Sequence, residues 1–116
     1  MSSHSAFSPA DAVERVAFAG PLWRWTGGQS GAWFFVTIDG VAAERIAGHA
    51  LMRRLELGQG RGFGSVKVAA RVGDSAWGTS VFPNGDGTWI LPVKAAIRRA
   101  EELDEGDRVA VELGLL

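Results

Sequence analysis

The sequence contains no cysteine, no tyrosine and only two histidines. Without cysteine it cannot form a disulfide, a thiolate metal site or a cysteine nucleophile. A zinc site needs three or four converging ligands, and a Ser-His-Asp relay would have to use His49, because His4 lies in the first few residues. We therefore predict no metal site, no cofactor and no catalytic residues. The lack of cysteine suits a reducing, cytoplasmic location.

The chain also lacks an excess of charge of either sign and any long apolar run. Twelve basic residues face thirteen acidic ones, which leaves a formal charge of -1 and no global field that favours nucleic acid or an anionic membrane. No apolar run approaches the roughly 20 residues that span a bilayer, so no membrane partner is expected. The residues at 1–6 have no features of a secretory signal. We expect a frayed leader over 1–11 and one domain over 12–116.

Large apolar side chains are abundant instead. Hydrophobic residues make up 47% of the chain, which includes five tryptophans and six phenylalanines. Full burial of one such side chain contributes roughly 1.5–3 kcal/mol, so a few of them stabilise a small domain without disulfides or metals. We expect a single protomer to shield the tryptophans inside a closed barrel.

The residue pattern predicts six strands and two helices. Alternating or continuous apolar runs predict strands near 13–19, 32–38, 65–72, 75–82, 88–91 and 108–114. Gly20-Pro21 is read as the end of the first strand, with a continuation to Trp25 as the alternative. The second strand, rich in aromatic residues, is expected to be buried on both faces. Apolar residues at helical spacing predict helices over 41–55, with Ala43, Ile46, Ala47, Ala50 and Leu51 on its buried side, and over 93–103, with Pro92 in its first turn.

An ordered set of motifs carries a family resemblance. The motifs are Trp-x-Thr-Ser-x-Phe-Pro at 77–83, Gly-x-Trp-x-Leu-Pro-Val-Lys at 87–94, Arg98-x-Ala100 and Glu-Gly-Asp-x-Val-x-Val at 105–111, with Gly-Ala-Trp-Phe-Phe-Val at 31–36 before them. Together they resemble the DUF1905 family of small bacterial proteins over about residues 12–115. The resemblance implies a six-stranded double-psi β-barrel that is mainly β with two helices. It implies no activity and no catalytic residues.

Five residues form the candidate ligand-binding set: Trp77, Thr79, Ser80, Lys94 and Arg98. If the strand at 77–82 lies beside the helix at 93–103, their polar groups meet at the mouth of the barrel. The cations would then attract an anion and the hydroxyl groups would orient it. In the alternative, the hydroxyls bond to local backbone and the cations lie in water.

Three functions stay open at this point. The leading one is a non-enzymatic module that binds an unidentified small molecule or protein, as a monomer or weak dimer. The second is nucleic-acid binding through Arg98-Arg99 and the arginines at 45, 53, 54 and 61, since 91–111 also resembles the swapped-hairpin transcription regulators. The third is an enzyme that uses Lys94 as base or nucleophile, which requires burial or a neighbouring cation. The glycine-rich segment 58–64 is read as a flexible connection, because it leads from a helix into a strand.

Overall fold

The computed structural model describes residues 14–27, 31–57 and 64–116. These residues form six strands and two helices. The strands are β1 (Glu14–Trp25), β2 (Trp33–Ile38), β3 (Val66–Val72), β4 (Ser75–Pro83), β5 (Trp89–Pro92) and β6 (Arg108–Leu115). The helices are α1 (Gly40–Leu57), between β2 and β3, and α2 (Ala95–Ala100), between β5 and β6. The leader at 1–11, Arg61 and most of the segment 58–64 lie outside the described residues.

The six strands close into one barrel, in the order β1-β2-β5-β4-β3-β6. All six pairings around the barrel are antiparallel. This confirms the predicted mainly β class, the six-stranded closed barrel and the two helices. The double-psi connection stays a prediction.

The inner face of the barrel carries the core. Val66, Val68, Ala70 and Val72 are buried, as the alternation along β3 predicts. Fully buried side chains from other strands complete this core, among them Leu22, Val36, Leu91, Val109 and Leu113. The barrel interior is therefore packed by side chains.

β1 passes through Gly20-Pro21 without a break, so the continuation to Trp25 is the correct alternative. Its first part pairs with β6 up to Pro21, and its last part pairs with β2 from Leu22 onward. Leu22 exchanges backbone hydrogen bonds with Asp107 and Gly106 on the β6 side, so alternate residues of β1 point their N–H groups that way. Pro21 lies between two of these alternate residues, so its backbone nitrogen faces away from β6. Its missing N–H therefore removes no bond to β6.

α2 is shorter than the predicted 93–103, and the placement of Pro92 in its first turn is wrong. Pro92 ends β5, and the Val93 N–H continues the strand by donating to the Phe34 carbonyl at 2.9 Å. Lys94 keeps an extended backbone and is the N-cap. The helix ends before Glu102, whose φ of 57° lies in the left-handed region.

α1 is buried only along its first half. Ala43 and Ile46 are buried as predicted and Ala50 is half-buried against the core, whereas Ala47 and Leu51 are exposed. The prediction of one buried stripe to the end of the helix is therefore wrong. Residues 51–56 are all exposed, because this half of the helix lies away from the barrel core.

The tryptophans divide between the two faces of the barrel, so the expectation that the barrel shields all of them is wrong. Trp77 and Trp89 are buried, while Trp25 and Trp33 are 45% and 51% exposed. Trp25 and Trp33 are direct partners across β1 and β2. Trp33 alternates with the inward-facing Val36, so it lies on the outer face, and β2 is not buried on both faces.

Candidate functional site

The seam between β4 and β5 is the most weakly paired seam of the barrel. It has only two paired positions, Phe82 with Ile90 and Pro83 with Trp89. The same register would place Val81 opposite Leu91 and then Ser80 opposite Pro92. Pro92 has no N–H to donate to the Ser80 carbonyl, so the ladder cannot continue in full. The two strands part here.

The hydrogen-bonding direction of β4 follows from two observed bonds. The Asn84 N–H donates to the Thr88 carbonyl at 2.9 Å, so even-numbered residues of β4 face β5. On the other side, the Leu116 N–H donates to the Lys67 carbonyl at 3.1 Å, so even-numbered residues of β3 face β4 and bond to its odd-numbered residues. Both bonds give the same result: the backbone N–H and C=O groups of Gly78 and Ser80 face the open seam.

Two adjoining grooves lie along this seam. The first has a volume of about 410 Å³ and is lined by β4, by the end of β5 and start of α2, and by Trp33 and Phe34 at the start of β2. The second, about 460 Å³, extends from the seam across β4 to Lys67 and Val68 of β3 and to Leu116. Trp33, Gly78, Thr79 and Pro92 line both. The two grooves therefore form one continuous cleft, which we call the seam groove.

The structure brings the five candidate residues to the seam groove. Trp77, Thr79, Lys94 and Arg98 line its first part, and Ser80 lines its second part. Trp77 and Thr79 share the inner face of β4 with the buried Val81, whereas Ser80 lies on the outer face. The two hydroxyl groups therefore lie on opposite faces of β4, and ligand binding by the five residues stays a prediction.

Arg98 is held in place by two contacts. Its Nε donates to the Val93 carbonyl at 3.1 Å, and its guanidinium carbon lies 3.9 Å from the centre of the Phe34 ring. A cation–π contact of this kind contributes about 0.5–1 kcal/mol at a partly exposed site. The contacts use Nε and one face of the guanidinium, and they orient the group at the groove.

α2 carries Arg98 and is fixed at both ends. At its start, Val93 is bonded to β2 as described above. At its end, the Ser75 hydroxyl donates to the Glu101 carboxylate at 2.6 Å, which ties the helix to the start of β4. The position of the Arg98 side chain therefore depends on two strands, β2 and β4, that are distant from α2 in sequence or separated from it by β5.

The groove has a net positive lining. Lys67, Lys94 and Arg98 line it, and no carboxylate lies within 4.0 Å of their charged nitrogens in the described ranges. The ion pairs that are present lie elsewhere, between Arg15 and Glu112 and around Glu14. The cleft is therefore suited to a ligand that brings its own negative charge.

Sequence reasoning missed Trp33, Phe34 and Lys67. Trp33 stacks on Phe35 with ring centroids 6.3 Å apart, and Trp23 lies against the same Phe35 at 5.0 Å. The Trp23 indole N–H also donates to the Thr37 hydroxyl at 2.9 Å. These contacts support Trp33 as a flat apolar surface beside the groove.

His49 makes contacts that connect separate elements of the fold. Its Nε2 lies 3.0 Å from the Leu116 carbonyl oxygen, and its Nδ1 lies 3.7 Å from a carboxylate oxygen of Glu14. These contacts join α1 to β1 and to the end of β6. Within the part of the chain that the structure describes, no group of three or more histidine, aspartate or glutamate residues is arranged to hold a metal ion.

The described arginines considered for nucleic-acid binding have different surroundings. Arg45 Nε lies 3.4 Å from a Glu14 carboxylate oxygen, and Arg53 and Arg54 are exposed on the second half of α1. Arg98 lies in the seam groove, whose lining includes no described residue of α1. Lys94 is exposed, so the burial that would favour a catalytic lysine is lacking.

The described part of the molecule is thus a small closed barrel with a cationic, aromatic cleft at one open seam. The model of the family described as Domain of unknown function (DUF1905) matches residues 18–113, most of the chain, and the chain belongs to that family. No curated protein matches the chain significantly. No helix among the described residues has both the length and the apolar character needed to cross a membrane.

Proposed function

We propose that this protein is a non-enzymatic binding module whose seam groove takes a ligand with an anionic group. The observation that carries the proposal is the pair of cations, Lys94 and Arg98, at a groove in which no nearby carboxylate neutralises them. The anionic group would lie near both cations, within reach of the Thr79 hydroxyl.

The aromatic lining defines the rest of the ligand. Trp33 offers a half-exposed indole at the rim, and Trp77 and Phe34 form part of the wall. An apolar portion of the ligand that contacts these rings loses water-exposed surface on binding, which contributes about 25 cal/mol per Å². The groove therefore favours an anion with an apolar part over a fully hydrated ion such as phosphate.

The structure offers a matched pair of variants for the test. Arg98 lines the groove, whereas Arg99 follows it on α2, is exposed and does not line the groove. Arg98→Gln and Arg99→Gln change the net charge equally. Lys94→Gln removes the other groove cation without touching the contacts of Arg98 with Val93 and Phe34.

Calorimetric titration of the full chain with benzoate and with inorganic phosphate tests the proposal. We expect benzoate to bind more tightly than phosphate. Loss of one charged contact of about 1 kcal/mol weakens binding about fivefold, so Arg98→Gln and Lys94→Gln should each weaken benzoate by that factor, and Arg99→Gln by much less. No binding of either anion at millimolar concentration, or an equal loss in all three variants, would contradict the proposal.

A further inference from the structure

The open edge of β4 provides a second kind of binding group in the seam groove. Gly78 and Ser80 point their backbone N–H and C=O groups toward the cleft, as derived above from the bonds of Asn84 and Leu116. The register that pairs Phe82 with Ile90 would place Lys94 opposite Gly78. Lys94 is already at the start of α2, where its carbonyl accepts the N–H groups of Ile97 and Arg98. No backbone hydrogen bond joins Lys94 to Gly78 in the described residues.

The spacing of these groups is that of a β-ladder. Two residues along a strand cover about 6.6 Å, so Gly78 and Ser80 present donors and acceptors at the interval that another strand would match. A small anion can use only one of these positions. An extended peptide can use both, and strand addition at an open sheet edge is a common mode of peptide recognition.

Cations lie on both sides of this part of β4. Lys94 and Arg98 line the first part of the seam groove, on the β5 side, and Lys67 lines the second part from β3, where it is the partner of Ser80. Because the charges lie at two places around the same edge, they complement more than one acidic side chain of a bound segment. Trp33 lies between them at the part common to both grooves.

We infer that the seam groove binds an extended acidic segment of a partner protein, which adds to the open edge of β4 at Gly78 and Ser80 while its carboxylates contact Lys94, Arg98 and Lys67. The inference rests on the proposed function and names the occupant of that same site. The partner segment is recognised through its backbone and its acidic side chains.

A blocked peptide tests this inference on the full chain. The probe is a fluorescently labelled, C-amidated hexapeptide of alternating glutamate and valine, measured by fluorescence anisotropy. Two N-methylated versions each remove the N–H donors from one edge of the peptide. A lysine–valine peptide reverses its charge, and unlabelled glutarate supplies carboxylates without a backbone.

We expect the Kd of the labelled acidic peptide to be at least about tenfold lower than the inhibition constant with which glutarate displaces it. One N-methylated version should lose about tenfold, the factor expected for one or two backbone hydrogen bonds, while the other loses little. The lysine–valine peptide should not bind. In the complex, amide hydrogen exchange at Gly78 should slow, with Arg99 as an unaffected reference position.

Other outcomes separate the two proposals. If glutarate and benzoate bind but N-methylation has no effect and Gly78 exchange is unchanged, strand addition is wrong and the anion site stands. If a version of the peptide with a free C-terminal carboxylate binds and the C-amidated peptide does not, the assignment to acidic side chains is wrong. If no anion and no peptide binds, both proposals fail.

Discussion

Replacement of Pro92 by valine restores the N–H whose absence ends the ladder between β4 and β5. In the observed register the new N–H faces the Ser80 carbonyl. One added backbone hydrogen bond stabilises a protein by about 0.5–1.5 kcal/mol. Loss of proline at a compatible site costs about 0.4–1 kcal/mol through the greater freedom of the unfolded chain. The two effects nearly cancel, so the free energy of unfolding should change by less than about 1 kcal/mol.

The structural effect of Pro92→Val is expected to be larger than its effect on stability. The seam should close by one further pair, the amide of residue 92 should be protected from hydrogen exchange, and benzoate affinity should fall because the groove narrows. Pro83→Val is the matched control. Pro83 is an odd-numbered residue of β4, and the N–H groups of odd-numbered residues face β3. The N–H that valine introduces at position 83 therefore faces β3 and leaves the seam unchanged.

Amide exchange by NMR, with denaturant unfolding of both variants, decides the question. Free exchange at residue 92 in Pro92→Val, with benzoate affinity unchanged, would refute the reasoning. It would mean that the missing N–H is not what separates the strands. Loss of affinity in Pro83→Val of the same size would refute it equally.

Two further predictions concern the turns. Gly73→Ala should destabilise the protein by more than the about 1–2 kcal/mol of left-handed strain, because the Glu101 carboxylate must move away from the new methyl group and give up its hydrogen bond with the Ser75 hydroxyl. Gly85→Ala, also at positive φ, has open space and should show the strain alone in denaturant unfolding. Hydrogen bonds from the Thr88 hydroxyl and N–H lower the pKa of Asp86 below its ordinary value of 3.8. The stabilisation by this carboxylate is therefore complete above the unfolded pKa and disappears as the pH falls through the lower folded pKa. An NMR titration of the Asp86 carboxyl carbon should give a midpoint below 3.8, and a midpoint at or above that value would contradict the assignment.

Local signals in the sequence accounted for the strands and for part of the site. The turn at 84–87 sets the register that places Ser80 opposite Pro92, so the approach of Thr79 and Ser80 to the start of α2 follows from a neighbouring hairpin. The alternation along β3 gave its buried face for the same reason. These features depend on residues that are close in sequence.

The features that sequence reasoning missed depend on distant pairings. Trp33 and Phe34 reach the groove because β2 pairs with β5, more than fifty residues later, and no local pattern encodes that contact. α2 is shorter than its apolar spacing predicts, because the Val93 N–H donates to the Phe34 carbonyl and so continues the ladder between β2 and β5. The exposure of Trp25 and Trp33 follows from which face of β1 and β2 closes on the core, and that is decided by the whole barrel.

The most direct measurement is an amide chemical-shift map of the full chain during titration with benzoate. The account predicts that the largest changes cluster at Thr79, Lys94 and Arg98, together with the indole N–H of Trp33. Changes centred on the exposed arginines of α1, Arg53 and Arg54, or scattered over the barrel without a maximum at the seam, would contradict it.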